Sequence, residues 1–143
     1  MKYSGISTLI VFFTFISACS IKSKPITEGV DTCENCKMTV MEKKYAGEIV
    51  TNKGRTFIFD DLHCLNNYLS VNMLPKEEVK FILVSDYYNP DKLIPADKAL
   101  FFYSEELHTP MNGKTVALSD SGGLTKIQGE YNGMSRLLVE VIQ

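Results

Sequence analysis

From residue 46 onward, apolar and polar positions fall into short runs broken by turn residues. Ala46 to Asn52 carries Ile49 and Val50, meets Lys53-Gly54, and is followed by Arg55 to Asp60, which alternates around Phe57 and Phe59. Two such runs about a tight-turn dipeptide predict a β-hairpin. At Asp60-Asp61 the period changes. Leu62, Leu65, Tyr68 and Leu69 follow at helical spacing, which places them on one face of a helix that Pro75 limits. Val79 to Ser85 is a β-rich run, so the first half reads β-β-α-β.

The second half repeats the order. Ala99 to Ser104 and Thr115 to Ser119 predict two strands, and Ser119 or Asp120 can cap a helix over Gly122 to Tyr131. Asn132-Gly133 is expected to close that helix in the left-handed conformation that glycine tolerates. Arg136 to Ile142 reads as a last strand. Gly122 and Gly123 each weaken the helix by roughly 1 kcal/mol relative to Ala if they lie in its interior. The expected fold class is α+β, with two tandem β-β-α-β units over residues 31–87 and 88–143. The halves share architecture but little residue identity.

The segment before these units has a different character. Lys2 supplies a positive start, Ile6 to Ile16 is apolar, and Ser17-Ala18 are small residues just before Cys19. This predicts a signal peptide over residues 1–18, shorter than a membrane span of about 20 apolar residues. Ile16-Ser17-Ala18-Cys19 also matches a bacterial lipobox, in which Cys19 is lipidated and becomes the new N-terminus. Residues 19–30 would then be a lipidated tether, holding the protein at a membrane through acyl chains. Ser20 is not the Asp of an inner-membrane retention signal, so an outer-membrane anchor facing the periplasm is expected.

Over its 143 residues the chain is 45% hydrophobic and 22% charged with a formal net charge of −2, the composition of an ordinary globular protein. A pI of about 5.7 leaves no basic surface for phosphates, which argues against nucleic-acid binding. With Cys19 assigned to the lipid, Cys33, Cys36 and Cys64 remain, an odd number that cannot all pair within one molecule.

The candidate chemistry lies in Asp31-Thr32-Cys33-Glu34-Asn35-Cys36-Lys37-Met38. Cys33 and Cys36 can face one point, and Met38 brings a thioether to the same loop. Thiolate and thioether are soft ligands, the set that selects Cu(I) over harder ions. Other readings stay open. A structural zinc site needs four ligands, for which the chain offers only isolated Cys64, His63 and His108. A thioredoxin-like pair belongs between a strand and a helix, whereas this pair precedes a hairpin. Cys33 to Cys36, or either to Cys64, could form a plain disulfide. A second methionine, Met111, lies in the loop His108-Thr109-Pro110-Met111-Asn112-Gly113, either as core filler or as a ligand.

With the lipobox, the segment Cys33 to Val40, the hairpin through Phe57 and Phe59, and Pro110-Met111-Asn112-Gly113, the sequence resembles the NosL family. These are lipoproteins that accompany nitrous oxide reductase and are understood as its copper chaperones. The resemblance covers nearly the whole mature chain and implies two β-β-α-β units. It places Cu(I) on Cys36 and Met38, with Met111 arriving from the second unit. Cys33 and His63 are further candidate ligands, and Asp60 and Asp61 border the site. The sequence departs from the family at Asn35, where some members carry an acidic residue or His, and at Lys37, where Gly is common. Lys37 is expected to lower the Cys36 pKa by its charge.

The expected function is therefore that of a non-enzymatic metallochaperone, anchored in the periplasm. It would deliver Cu(I) for the copper-sulfide centre of apo nitrous oxide reductase, supplied by a carrier or an ABC-type assembly complex. No nucleophile with a His base and an orienting carboxylate, and no glycine-rich phosphate loop, argues for catalysis. The alternatives from other classes are a thiol-disulfide oxidoreductase or organomercurial-lyase-like enzyme using Cys33 and Cys36, and a lipoprotein whose cysteines only brace the fold.

Overall fold

The computed structural model describes residues 23–71 and 73–142. The expected signal segment and Cys19 lie outside the described residues. Strands β1 (Gly47–Thr51) and β2 (Thr56–Phe59) form the predicted hairpin, with Gly47 opposite Phe59 and Val50 opposite Thr56. Gly54 takes the left-handed conformation (φ +81°) that the turn requires, and its N–H donates to the Thr51 carbonyl at 2.9 Å.

Helix α1 (Leu62–Ser70) follows at once, capped by Asp61, whose carboxylate accepts the His63 N–H at 2.6 Å. Leu62, Leu65, Tyr68 and Leu69 are all buried, as their spacing predicts. Strand β3 (Val79–Ser85) pairs antiparallel with β1, and β4 (Leu93–Pro95) pairs with β3, giving the order β2-β1-β3-β4. Three residues ending in proline carry no readable alternation, so β4 is not visible in the sequence pattern. The first sheet thereby reaches past Tyr87 to Pro95.

The second unit consists of β5 (Leu100–Tyr103), β6 (Thr115–Leu118), α2 (Ser121–Glu130) and β7 (Met134–Arg136), with strand order β6-β5-β7. In both units the first strand is flanked by the second and third, so the architectural repeat extends to strand order. The fold class is α+β, with each three-strand β-β-α-β motif carrying a helix. The units are joined where Asp86 bridges Ala117 and the Tyr87 N–H donates to the Ala117 carbonyl at 2.9 Å.

Two expectations for the second unit fail. Arg136 to Ile142 is not a strand: β7 ends at Arg136 and a short helix α3 (Leu138–Val141) follows. Leu138, Val141 and Ile142, at helical spacing, pack on the core while Leu137 and Val139 are exposed. The Glu140 carboxylate accepts the Leu137 N–H at 2.7 Å and fixes the turn. Nor does Gly133 close α2 in the left-handed conformation, because the helix ends at Tyr131 in an extended conformation. Gly133 is needed for space instead: a Cβ there would lie 2.2 Å from the Tyr103 carbonyl and 2.4 Å from the Phe102 ring.

The core beneath α1 gathers Ile49, Phe57, Phe59, Leu65, Tyr68 and Leu69, and it takes in Cys33 and Cys64. Against another part of the first sheet, Ile26 and Val40 pack on Ala46 and Ile58. Among the described residues, no helix is long and apolar enough to cross a membrane.

Candidate metal centre

The cysteine loop is a small hairpin pinned at both ends. Thr32 and Thr39 form a β-bridge, the Cys33 N–H donates to the Met38 carbonyl at 2.8 Å, and the Lys37 N–H returns to the Cys33 carbonyl at 3.0 Å. The Glu34 N–H donates to the Ile58 carbonyl at 2.7 Å, which ties the loop to β2. These bonds leave Cys33 wholly buried and Cys36 half-buried, both turned toward the start of α1.

There they meet two residues from the other side. One ligand atom each from Cys33, Cys36, Asp60 and Cys64 lies within 4.8 Å of all the others. The Cys36 thiol donates to the Asp60 carboxylate at 3.4 Å, and the Asn35 amide donates to the Cys64 sulfur at 3.4 Å. The other Asp60 oxygen is buried and has no hydrogen-bond partner. All three thiols are free.

Their protonation differs for physical reasons. The Cys64 thiol donates to the Cys33 sulfur and brings Cys33 down to about 6, against the opposing effect of burial and with help from the backbone N–H groups of Cys36 and Asp60. Cys64 is pushed up by that same hydrogen bond and by burial. Cys36 is also raised, chiefly by burial and then by Cys33 and Asp60, although the Met38 N–H works the other way. The expected lowering of Cys36 by Lys37 is therefore corrected. The Lys37 ammonium turns to Glu34 at 3.3 Å and to solvent.

Of the remaining candidates, His63 does not join the cluster. Met38 is 53% exposed. Met111 is partly buried and packs on the core that holds Cys33 and Cys64. It is placed by Asp61: one carboxylate oxygen caps α1 while the other accepts the Met111 N–H at 3.1 Å. Gly113 permits that approach, since a Cβ there would lie 2.5 Å from the Asp61 carboxylate and 2.8 Å from the His63 side chain. His63 faces a separate cleft of about 180 Å³ with Tyr103, Thr115 and Arg136. Cys64, weighed in the sequence as a disulfide partner or an isolated zinc ligand, and Asp60, only as a border residue, are the two members that the folded chain adds. Their signal was the segment Asp60-Asp61-Leu62-His63-Cys64, where a helix start carries a thiol beside its buried face.

Three thiols and one carboxylate within a few ångströms, half-open to solvent at Cys36, define a sulfur-rich metal-binding α+β protein. The NosL family profile matches residues 25–142, and the chain belongs to the NosL family. A search of curated proteins finds no match. Among solved structures, the chain is similar to the crystal structure of the copper chaperone NosL from Shewanella denitrificans. The TM-score is 0.69 with 18% identity, over 87% of this chain and 98% of that one.

Proposed function

We propose that the protein is a periplasmic, lipid-anchored Cu(I) metallochaperone that supplies copper to apo nitrous oxide reductase. The observation that carries the copper reading is the convergence of three free thiols on one half-open point. Soft sulfur donors favour a soft monovalent ion, and a low-coordinate Cu(I) can leave by exchanging one sulfur for another. Family membership supports a carrier over an enzyme and points to nitrous oxide reductase as client. The lipobox at Cys19 supports the anchor, with an outer-membrane position favoured by Ser20.

In this reading Cys33 and Cys36 hold the ion. Met38, exposed on the same loop, and Met111, packed on the core that holds Cys33 and Cys64, serve as exchange ligands, with His63 as a further candidate. A thiol oxidoreductase is less well supported. Its attacking sulfur must be a reachable thiolate, whereas Cys33 is fully buried, the more open Cys36 has its thiol pushed up by burial, and the pair sits before a hairpin, not at a helix start.

The test is an anaerobic titration of the reduced protein with Cu(I) against a competing chelator, with Zn(II) as control. One equivalent of Cu(I), held far more tightly than zinc and passed on to apo nitrous oxide reductase, is the expected result. Absence of stoichiometric Cu(I) binding overturns the copper reading, and retention of the metal in the presence of the apo-reductase overturns the assignment of client.

A further inference from the structure

We propose that Cys64 is a copper ligand, so that the ion rests in an inner position made of the Cys33, Cys36 and Cys64 sulfurs, and that Met38 serves only its entry and exit. The inference rests on the Cu(I) reading above. It adds a third thiolate from the second of the two elements that meet at the site.

Geometry carries the argument. The three sulfurs come from two directions, Cys33 and Cys36 from the loop and Cys64 from α1, and lie within 4.8 Å of one another. That spacing lets one soft ion touch all three after small side-chain movements. The loop is bonded to β2 through Glu34 and α1 is capped by Asp61, so the frame around the sulfurs is built before metal arrives.

Each sulfur is also supplied with N–H donors, as buried thiolates require. The backbone N–H groups of Cys36 and Asp60 serve Cys33, that of Met38 serves Cys36, and the Asn35 amide serves Cys64. Asn35 is held in turn by the Asn67 amide at 3.2 Å, one helical turn beyond Cys64. A cysteine that served only as core filler would have no use for this chain of amides. Met38, by contrast, is more than half exposed.

Loading and release need no redox partner. Cu(I) arrives as a monocation, each thiol that becomes a ligand releases its proton to solvent, and copper stays monovalent throughout. On release, the bonds to Cys64 and Cys33 break in turn while Cys36 keeps the ion and the Met38 thioether joins it. The vacated sulfurs then take back from solvent whatever protons were given up on loading. Cys36, half-buried between the inner sulfurs and the exposed methionine, is common to both positions.

The experiment is X-ray absorption at the copper edge on reduced protein with one equivalent of Cu(I), with affinities from chelator competition. The variants are Cys64→Ala and the double variant Met38→Ala/Met111→Ala. The double variant should keep three sulfur neighbours and stay within about threefold of the wild-type affinity, and Cys64→Ala should lose one sulfur and bind about tenfold or more weakly. Loss of a sulfur in the double variant overturns the inference even if Cys64→Ala fails to fold, and so does a wild-type affinity in Cys64→Ala. Failure of the wild-type protein to bind Cu(I) would instead overturn the chaperone reading itself.

Discussion

Lys37 shows how a single residue can run against the geometry of its site. It sits at φ +63°, in the left-handed region that costs an ordinary side chain about 1 kcal/mol. Its ion pair with Glu34 at 3.3 Å is solvent-exposed and returns little of that cost. Lys37→Gly is therefore expected to stabilise the apo-protein by about 1 kcal/mol, raising Tm by roughly 3–5 °C in a thermal melt, whereas Lys37→Ala, which keeps a Cβ, gains nothing. An unchanged Tm for the glycine variant would show that the strain is absorbed elsewhere. The sequence named Cys33 and Cys36 because their spacing is local. It could not place Cys64, whose approach to them depends on how α1 lies against the loop, a relation between residues distant in sequence.

Among the elements, the junction between α1 and the loop from Thr109 to Gly113 does most to shape the site. The acidic start of α1 was legible as a cap, but not the second bond that Asp61 makes, across the molecule to Met111. Two non-glycine residues stand in the left-handed region on either side of Gly113, Asn112 (φ +57°) in that loop and Lys114 (φ +52°) just after it, and their N–H groups donate back to Thr109 at 3.0 and 3.1 Å while Asp61 anchors Met111. Asp61→Ala removes a helix cap and leaves the Met111 N–H without its acceptor. The combined loss should be about 2–4 kcal/mol, read as a lower midpoint in urea with an unchanged slope. A loss below about 1 kcal/mol would mean that solvent replaces both bonds. The misread end of the chain belongs to this scale too. Arg136 to Ile142 is rich in β-branched and aliphatic residues, yet its inward positions recur at three and four, and a short window does not separate that spacing from strand alternation.

For the molecule as a whole, the repeat was legible because each unit has its own hairpin, helix and strand pattern. The burial of a charged residue at the centre of the first sheet was not. Glu48 on β1 is fully buried, opposite Ile58 and Leu83, and its carboxylate oxygens have no hydrogen-bond partner of good geometry. Lys24 and Asp31, on the segment that carries Ile26, lie close to it. Burial raises its pKa from the ordinary 4.5 to about 7, with Asp31 adding to the rise while the Lys24 backbone N–H and ammonium offset part of it. Below pH 4.5 the group is neutral whether the chain is folded or not, and it carries no charge penalty. Between pH 4.5 and 7 the unfolded chain releases the proton first, so folding stability falls by up to about 3 kcal/mol and stays lowered above pH 7. Glu48→Gln removes that dependence while keeping the shape of the side chain. Relative to wild type, the variant should gain up to about 3 kcal/mol between pH 4.5 and pH 8 in urea unfolding. A stability difference that does not change with pH would mean that Glu48 ionises in the folded chain as readily as in the unfolded one.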